Sequence, residues 1–170
     1  MKINSVLGPI DVESLGTTLI HEHLGIGWTG WELDHQDFDR KKEGDKIADK
    51  LKELRDEGIT SFVDPCPMEL GRDPEFAAEM SDRSGIQIVV ATGLYNDALG
   101  IPPHFRLMDV DGIAEQYVSE IEDGIGKTGI KAGIIKTACG GIHGVTPPGE
   151  GIKETEIKCL RAAARASNAT

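Results

Sequence analysis

Four times along this 170-residue chain, a short apolar, β-branched run is followed by a segment whose apolar residues recur at helical spacing. No other feature limits the possible folds as strongly. The runs are 17–23, 59–64, 86–92 and 131–138. They are apolar on both faces, as in parallel sheets covered by helices, and they lack the polar alternate face of a half-solvated sheet. The segments between them read as helices. In 45–57, Ile47, Leu51 and Leu54 form one stripe and Gly58 is a stop. In the next, Asp73 is the N-cap, Pro74 the first helical residue, and Phe76, Ala77 and Met80 the apolar face. Helix 111–123 aligns Ile113, Ala114, Tyr117, Val118 and Ile121, and the last, from 155 to about 166, aligns Ile157, Leu160 and Ala164. Residues 2–12 read as a small hairpin around Gly8-Pro9.

The connections are unequal. Helix-to-strand turns are short: Gly58, then Ser84 and Gly85, then 124–129. Strand-to-helix connections are long, and in parallel α/β folds the carboxyl ends of the strands carry the site. Four units do not close an eight-stranded barrel, which needs about 250 residues. An open four-stranded sheet is one reading. The better one is a TIM (βα)8 barrel of which residues 1–170 hold the first four units as a single N-terminal half.

Two places at those carboxyl ends carry chemistry. His21 and His23 flank Glu22 at the end of the first run. Side chains two apart on a strand share a face, so the pair reads either as half of a metal site or as two hydrogen-bonded histidines. Glu22 points the other way, as a satisfied buried carboxylate or a group that steadies the site. Lys136 interrupts the apolar fourth run. A buried amine is pushed towards neutrality and then takes up carbon dioxide as a carbamate, whose two oxygens bridge two metals. The alternative is a lysine that snorkels to the sheet end or pairs with an acid.

Other candidates are weaker. His35, His104 and His143 read as loop histidines. Cys66, Cys139 and Cys159 are odd in number, without C-x-x-C spacing, and read as reduced thiols. Cys66 and Cys139 lie near the site but lack a histidine at fixed spacing. Gly126-Lys127-Thr128 follows a helix and precedes a strand, the reverse of a phosphate loop. Residues 39–43 read as a solvated charged face before the first helix. A net charge of −11 argues against nucleic acid and an anionic membrane surface as partners. No run approaches the roughly 18 apolar residues of a membrane span, and Met1-Lys2-Ile3-Asn4-Ser5 is no leader, so a cytoplasmic protein is expected.

The text Val6-Leu7-Gly8-Pro9, Leu15-Gly16-Thr17-Thr18-Leu19-Ile20-His21-Glu22-His23-Leu24, Gly71-Arg72-Asp73-Pro74 and Ala132-Gly133-Ile134-Ile135-Lys136 closely resembles the phosphotriesterase family of the amidohydrolase superfamily. The resemblance implies a TIM barrel with two divalent metals, usually zinc, at its carboxyl face. It makes His21 and His23 ligands of the more buried metal and Lys136, as N6-carboxylysine, the bridge. It implies a shared hydroxide attacking a phosphotriester or lactone. Tyr95 matches a pocket aromatic of lactonase-like members, or is a packed loop residue. The family also places a histidine on each of strands five and six and an aspartate on strand eight. The chain ends at Thr170, near the start of the fifth strand. The expectation is therefore an incomplete, inactive fragment of a zinc-dependent ester hydrolase. The alternatives are a half-barrel that self-associates as a homo-oligomer, and an amidase- or deacetylase-like amidohydrolase.

Overall fold

The computed structural model describes residues 1–140 and 151–170. Its centre is a parallel sheet in the order β3 (Thr18–Leu19), β4 (Ser61–Asp64), β5 (Gln87–Leu94), β6 (Ile134–Thr137). Helices α1 (Arg40–Asp56), α2 (Pro74–Ser84), α4 (Val110–Glu122) and α5 (Glu154–Ala169) follow the four strands in turn. The result is a curled α/β half-barrel, as the alternating pattern predicts. A short α3 (Pro103–Leu107), which the periodicity did not announce, precedes α4. Its last carbonyls are collected by the Lys158 ammonium, which donates to the oxygens of Phe105, Arg106 and Met108 at 3.1, 2.8 and 2.7 Å.

Two apolar clusters hold the sheet. One packs Ala48 and Leu51 of α1, Ala77 and Met80 of α2, and Phe62, Ile88 and Val90 of the strands. The other joins Leu94 to Ile113, Ala114 and Tyr117 of α4 and to Cys159, Ala162 and Ala166 of α5.

Helix α1 starts at Arg40, five residues before the expected Asp45. Asp39 caps it, accepting from the Lys42 N–H at 3.0 Å. The charged stretch 39–43 is thus its cap and first turn, not a preceding loop. Gly44 hides this start in the sequence. It is buried inside the helix, where a Cβ would sit 3.3 Å from the Phe76 ring, so its small size lets α1 approach α2.

The N-terminal pair, β1 (Lys2–Ser5) and β2 (Gly8–Asp11), forms a hairpin, but the turn is Val6-Leu7, and Gly8 and Pro9 already belong to β2. The hairpin closes the amino-terminal end of the sheet. Val6 N–H donates to Ile88 O at 2.8 Å, and the Asn4 amide bridges Ile121 O and Ala132 O, both at 3.0 Å.

Gly71-Arg72-Asp73-Pro74 is an architectural joint. Gly71 adopts φ +78° against the Gly27 backbone, and Asp73 caps α2, with Pro74 in its first turn. Arg72 grips Glu120 of α4 with two bonds of 2.6 and 2.9 Å and donates to Ala91 O at 2.9 Å. No described helix is long and apolar enough to cross a membrane.

Candidate metal centre

β3 ends at Leu19, so His21, Glu22 and His23 lie beyond it on a bent segment rather than on a strand. The segment still tracks β4: Glu22 N–H donates to Val63 O at 3.2 Å. The two imidazoles meet edge to face, centroids 5.4 Å apart and planes at 84°. His21 is exposed, while the His23 side chain is 22% exposed. Glu22 faces solvent and is not the buried carboxylate expected of it, because the bend releases it from the sheet.

Asp64, the last residue of β4, reaches across to this segment. Its Oδ1 lies 3.2 Å from His23 Nδ1 and accepts from the Cys66 N–H at 3.0 Å, and its Oδ2 accepts from the Leu24 N–H at 3.3 Å. A carboxylate on one imidazole nitrogen fixes the tautomer and leaves the other free, the usual support of a metal-binding histidine. Cys66 follows, its Sγ 3.0 Å from the same Nδ1 and donating to Gly25 O at 3.4 Å. The histidine partner that sequence spacing withheld from Cys66 is thus His23, 43 positions away. Burial, and then the adjacent Asp64 charge, push the Cys66 thiol well above the ordinary thiol range, and the Lys136 ammonium works against them. Neither Asp64 nor its pairing with His23 was singled out from the sequence. The available signal was an acidic residue ending an apolar strand at the site face.

Lys136 is the third residue of β6 and pairs with Gly93 of β5. Gly93 has φ +116°, and a Cβ there would collide with the Lys136 carbonyl. Only glycine lets the two strands meet at this point. The Lys136 side chain is half-buried, with Nζ 5.8 Å from the centroid of the Tyr95 ring. Tyr95 follows β5, and its N–H donates to Glu69 Oε1 at 3.1 Å. The second oxygen of buried Glu69 has no partner among the described residues, and burial raises its carboxyl pKa. Glu156 fixes the neighbouring loops, accepting from Asp97 N–H at 2.9 Å and Gly140 N–H at 3.2 Å.

Beside Asp64 opens a cleft of about 500 Å³ walled by Trp28, Trp31, Phe38 and Phe76. His35 Nδ1–H donates to Trp31 O at 2.8 Å, and His104 meets Phe105 edge to face, so neither joins the cluster. His143 lies outside the described residues. Gly126-Lys127-Thr128 forms a turn closed by Thr128 N–H to Ile125 O at 3.2 Å.

The model of the phosphotriesterase family matches residues 1–170. The chain belongs to the phosphotriesterase family. A phosphotriesterase homology protein of Mycobacterium tuberculosis is 37% identical over 182 residues, covering 99% of this chain and 52% of that protein. An aryldialkylphosphatase of Saccharolobus solfataricus is 31% identical, covering 95% of this chain and 49% of its own length. An N-acetyltaurine hydrolase of Xenopus tropicalis is 27% identical, covering 98% and 53%. The chain spans about half the length of the curated relatives it matches.

Proposed function

We propose that residues 1–170 are the N-terminal half of a metal-dependent hydrolase of ester bonds, phosphotriester or lactone, and carry its first metal seat. One observation carries this reading. His21 and His23, Asp64 and Lys136 stand at the carboxyl ends of three strands of one parallel sheet. The residues fit a divalent cation such as zinc: Asp64 holds His23 Nδ1, leaving Nε2 for coordination beside the His21 ring. Lys136, as its carbamate, is the proposed bridge to a second metal. Such a centre supplies Lewis acidity and an acidified water for hydrolysis. The chain's own groups orient and bind. Asp64 sets the His23 tautomer, Tyr95 lies against Lys136, and the aromatic cleft beside Asp64 accepts an apolar ester substituent.

The test is a chimera of this chain with the second half of the M. tuberculosis relative, assayed on phosphotriesters, lactones, aryl esters and N-acyl amides. The N-acyl amides are included because one set of relatives is named N-acetyltaurine hydrolase. We expect ester hydrolysis that chelator, His23→Ala and Lys136→Ala each abolish. A folded, metal-free chimera, or one still active after His23→Ala, overturns the proposal.

A second reading, self-association, draws on the sheet edges. β3 and β6 each pair on one side only among the described residues. Two such half-barrels brought edge to edge would each cover the other's open strands. Sedimentation of the chain as a monomer at all concentrations would exclude it.

A further inference from the structure

We propose that His23 Nδ1, Asp64 Oδ1 and Cys66 Sγ form a second metal seat, selective for a soft divalent cation of the zinc class and distinct from the His21, His23 and Lys136 set. The three donor atoms lie within 4.8 Å of one another, and they are the one such His/Cys/acid group among the described residues. They come from three backbone positions: the segment after β3, the last residue of β4, and the turn after it. The seat is already drawn together by the Asp64 bonds to the Leu24 and Cys66 N–H groups.

The spacing suits the ion. Tetrahedral zinc, with bonds of about 2.0–2.3 Å, holds its ligand atoms roughly 3.3–3.6 Å apart. Nδ1 is 3.2 Å from Oδ1 and 3.0 Å from Sγ, so along these two edges an entering ion need spread the donors by only a few tenths of an ångström. Chemistry selects the class. Imidazole with thiolate favours zinc or cobalt, whereas magnesium and calcium prefer all-oxygen sites. Three protein ligands leave one position for solvent or substrate.

Entry of the metal is a proton exchange without redox change. The S–H bond breaks, a sulfur–metal bond forms, and the thiol proton passes to solvent. The imidazole proton leaves Nδ1, whose lone pair binds the metal, and Nε2 takes up a proton. His23 therefore cannot serve both seats at once. An ion on Nδ1 and Cys66 withdraws Nε2 from the seat proposed above, so the two seats compete for one ring. This inference rests on that reading only for the competition, not for the existence of the thiolate seat.

The test is cobalt(II) titrated into the intact chain. We expect one equivalent to produce a near-ultraviolet sulfur-to-cobalt charge-transfer band that zinc bleaches. Cys66→Ser should abolish the band, while His21→Ala and Lys136→Ala leave it intact. Zinc-edge X-ray absorption on the Cys139→Ser chain, which keeps Cys66, should show one sulfur at about 2.3 Å. That measurement does not depend on how well Cys66→Ser folds. A shell of nitrogen and oxygen alone, or a band that survives Cys66→Ser, overturns the thiolate seat. If metal uptake instead needs His21 and Lys136 but not Cys66, the thiolate seat fails and the hydrolase reading stands. The reverse pattern leaves the thiolate seat standing and counts against the first seat.

Discussion

Two clusters of ionisable side chains, Arg72 with Glu120 and His23 with Asp64 and Cys66, are built on opposite plans. Arg72 and Glu120 are both 7% exposed, and each guanidinium donor that faces the carboxylate meets one oxygen. Donors and acceptors match, so the pair is closed. At His23, Asp64 and Cys66, a single ring nitrogen faces an oxygen and a sulfur together. One proton cannot satisfy both, and the His23 side chain remains partly open to solvent. Matched burial makes a joint. Unmatched convergence beside solvent makes a place for something else.

The sharpest way to break the contrast is Glu120→Ala. It leaves Arg72 buried and uncompensated, and should cost about 3–5 kcal/mol in urea denaturation. Metal uptake per folded molecule should not change. A double Arg72→Met, Glu120→Leu replacement should recover most of the loss, because apolar residues of similar volume are not penalised by burial.

Asp64→Asn should behave the other way round. Loss of the carboxylate behind a metal-binding histidine weakens metal affinity by about 10–100-fold. Calorimetric zinc titration reads this, and the urea midpoint should shift less than for Glu120→Ala. If Asp64→Asn unfolds the chain while leaving affinity intact, the two clusters are not different in kind.

Glu69 sits between the two plans: buried, with one oxygen bonded to Tyr95 N–H and the other without a partner among the described residues. Its folded pKa is raised by burial above that of a free carboxyl. The folded state therefore holds its proton more tightly than the unfolded chain does. The resulting stabilisation is full below the unfolded pKa and is lost as pH rises through the folded one. Glu69→Gln does not titrate. Its melting temperature relative to the parent should climb as pH rises above about 4, where a free glutamate carboxyl titrates, and a flat difference would refute the shift. The smallest effect is expected for Thr92→Val. The Thr92 hydroxyl is fully buried without a partner among the described residues, so its removal should be neutral or stabilise by up to ~1 kcal/mol in thermal unfolding.

Much of the fold could be read from local chemistry. Asp73 and Pro74 marked the start of α2, and the stripes of α1 and α4 named their buried faces. What escaped depended on neighbours distant in sequence. Gly44 lies just outside the 45–57 stripe, yet it is a contact point with α2. The period-two argument for His21 and His23 assumed a strand that ends at Leu19. The rings still meet, because the segment follows β4 and not because of alternation. Asp64 was legible only as the end of an apolar run, since nothing local tells a strand that its carboxylate will face a histidine 41 positions earlier.

The hairpin of β1 and β2 has a practical consequence. It is fastened to the start of β5 and to the residue that leads into β6, at the end of the sheet away from the histidines. A fusion partner or surface linker joined ahead of Met1, which is 92% exposed, therefore starts from this hairpin and not from the histidine segment. Protein immobilised through that end would leave its histidine-bearing segment untethered, an arrangement suited to testing the proposed metal uptake on a surface.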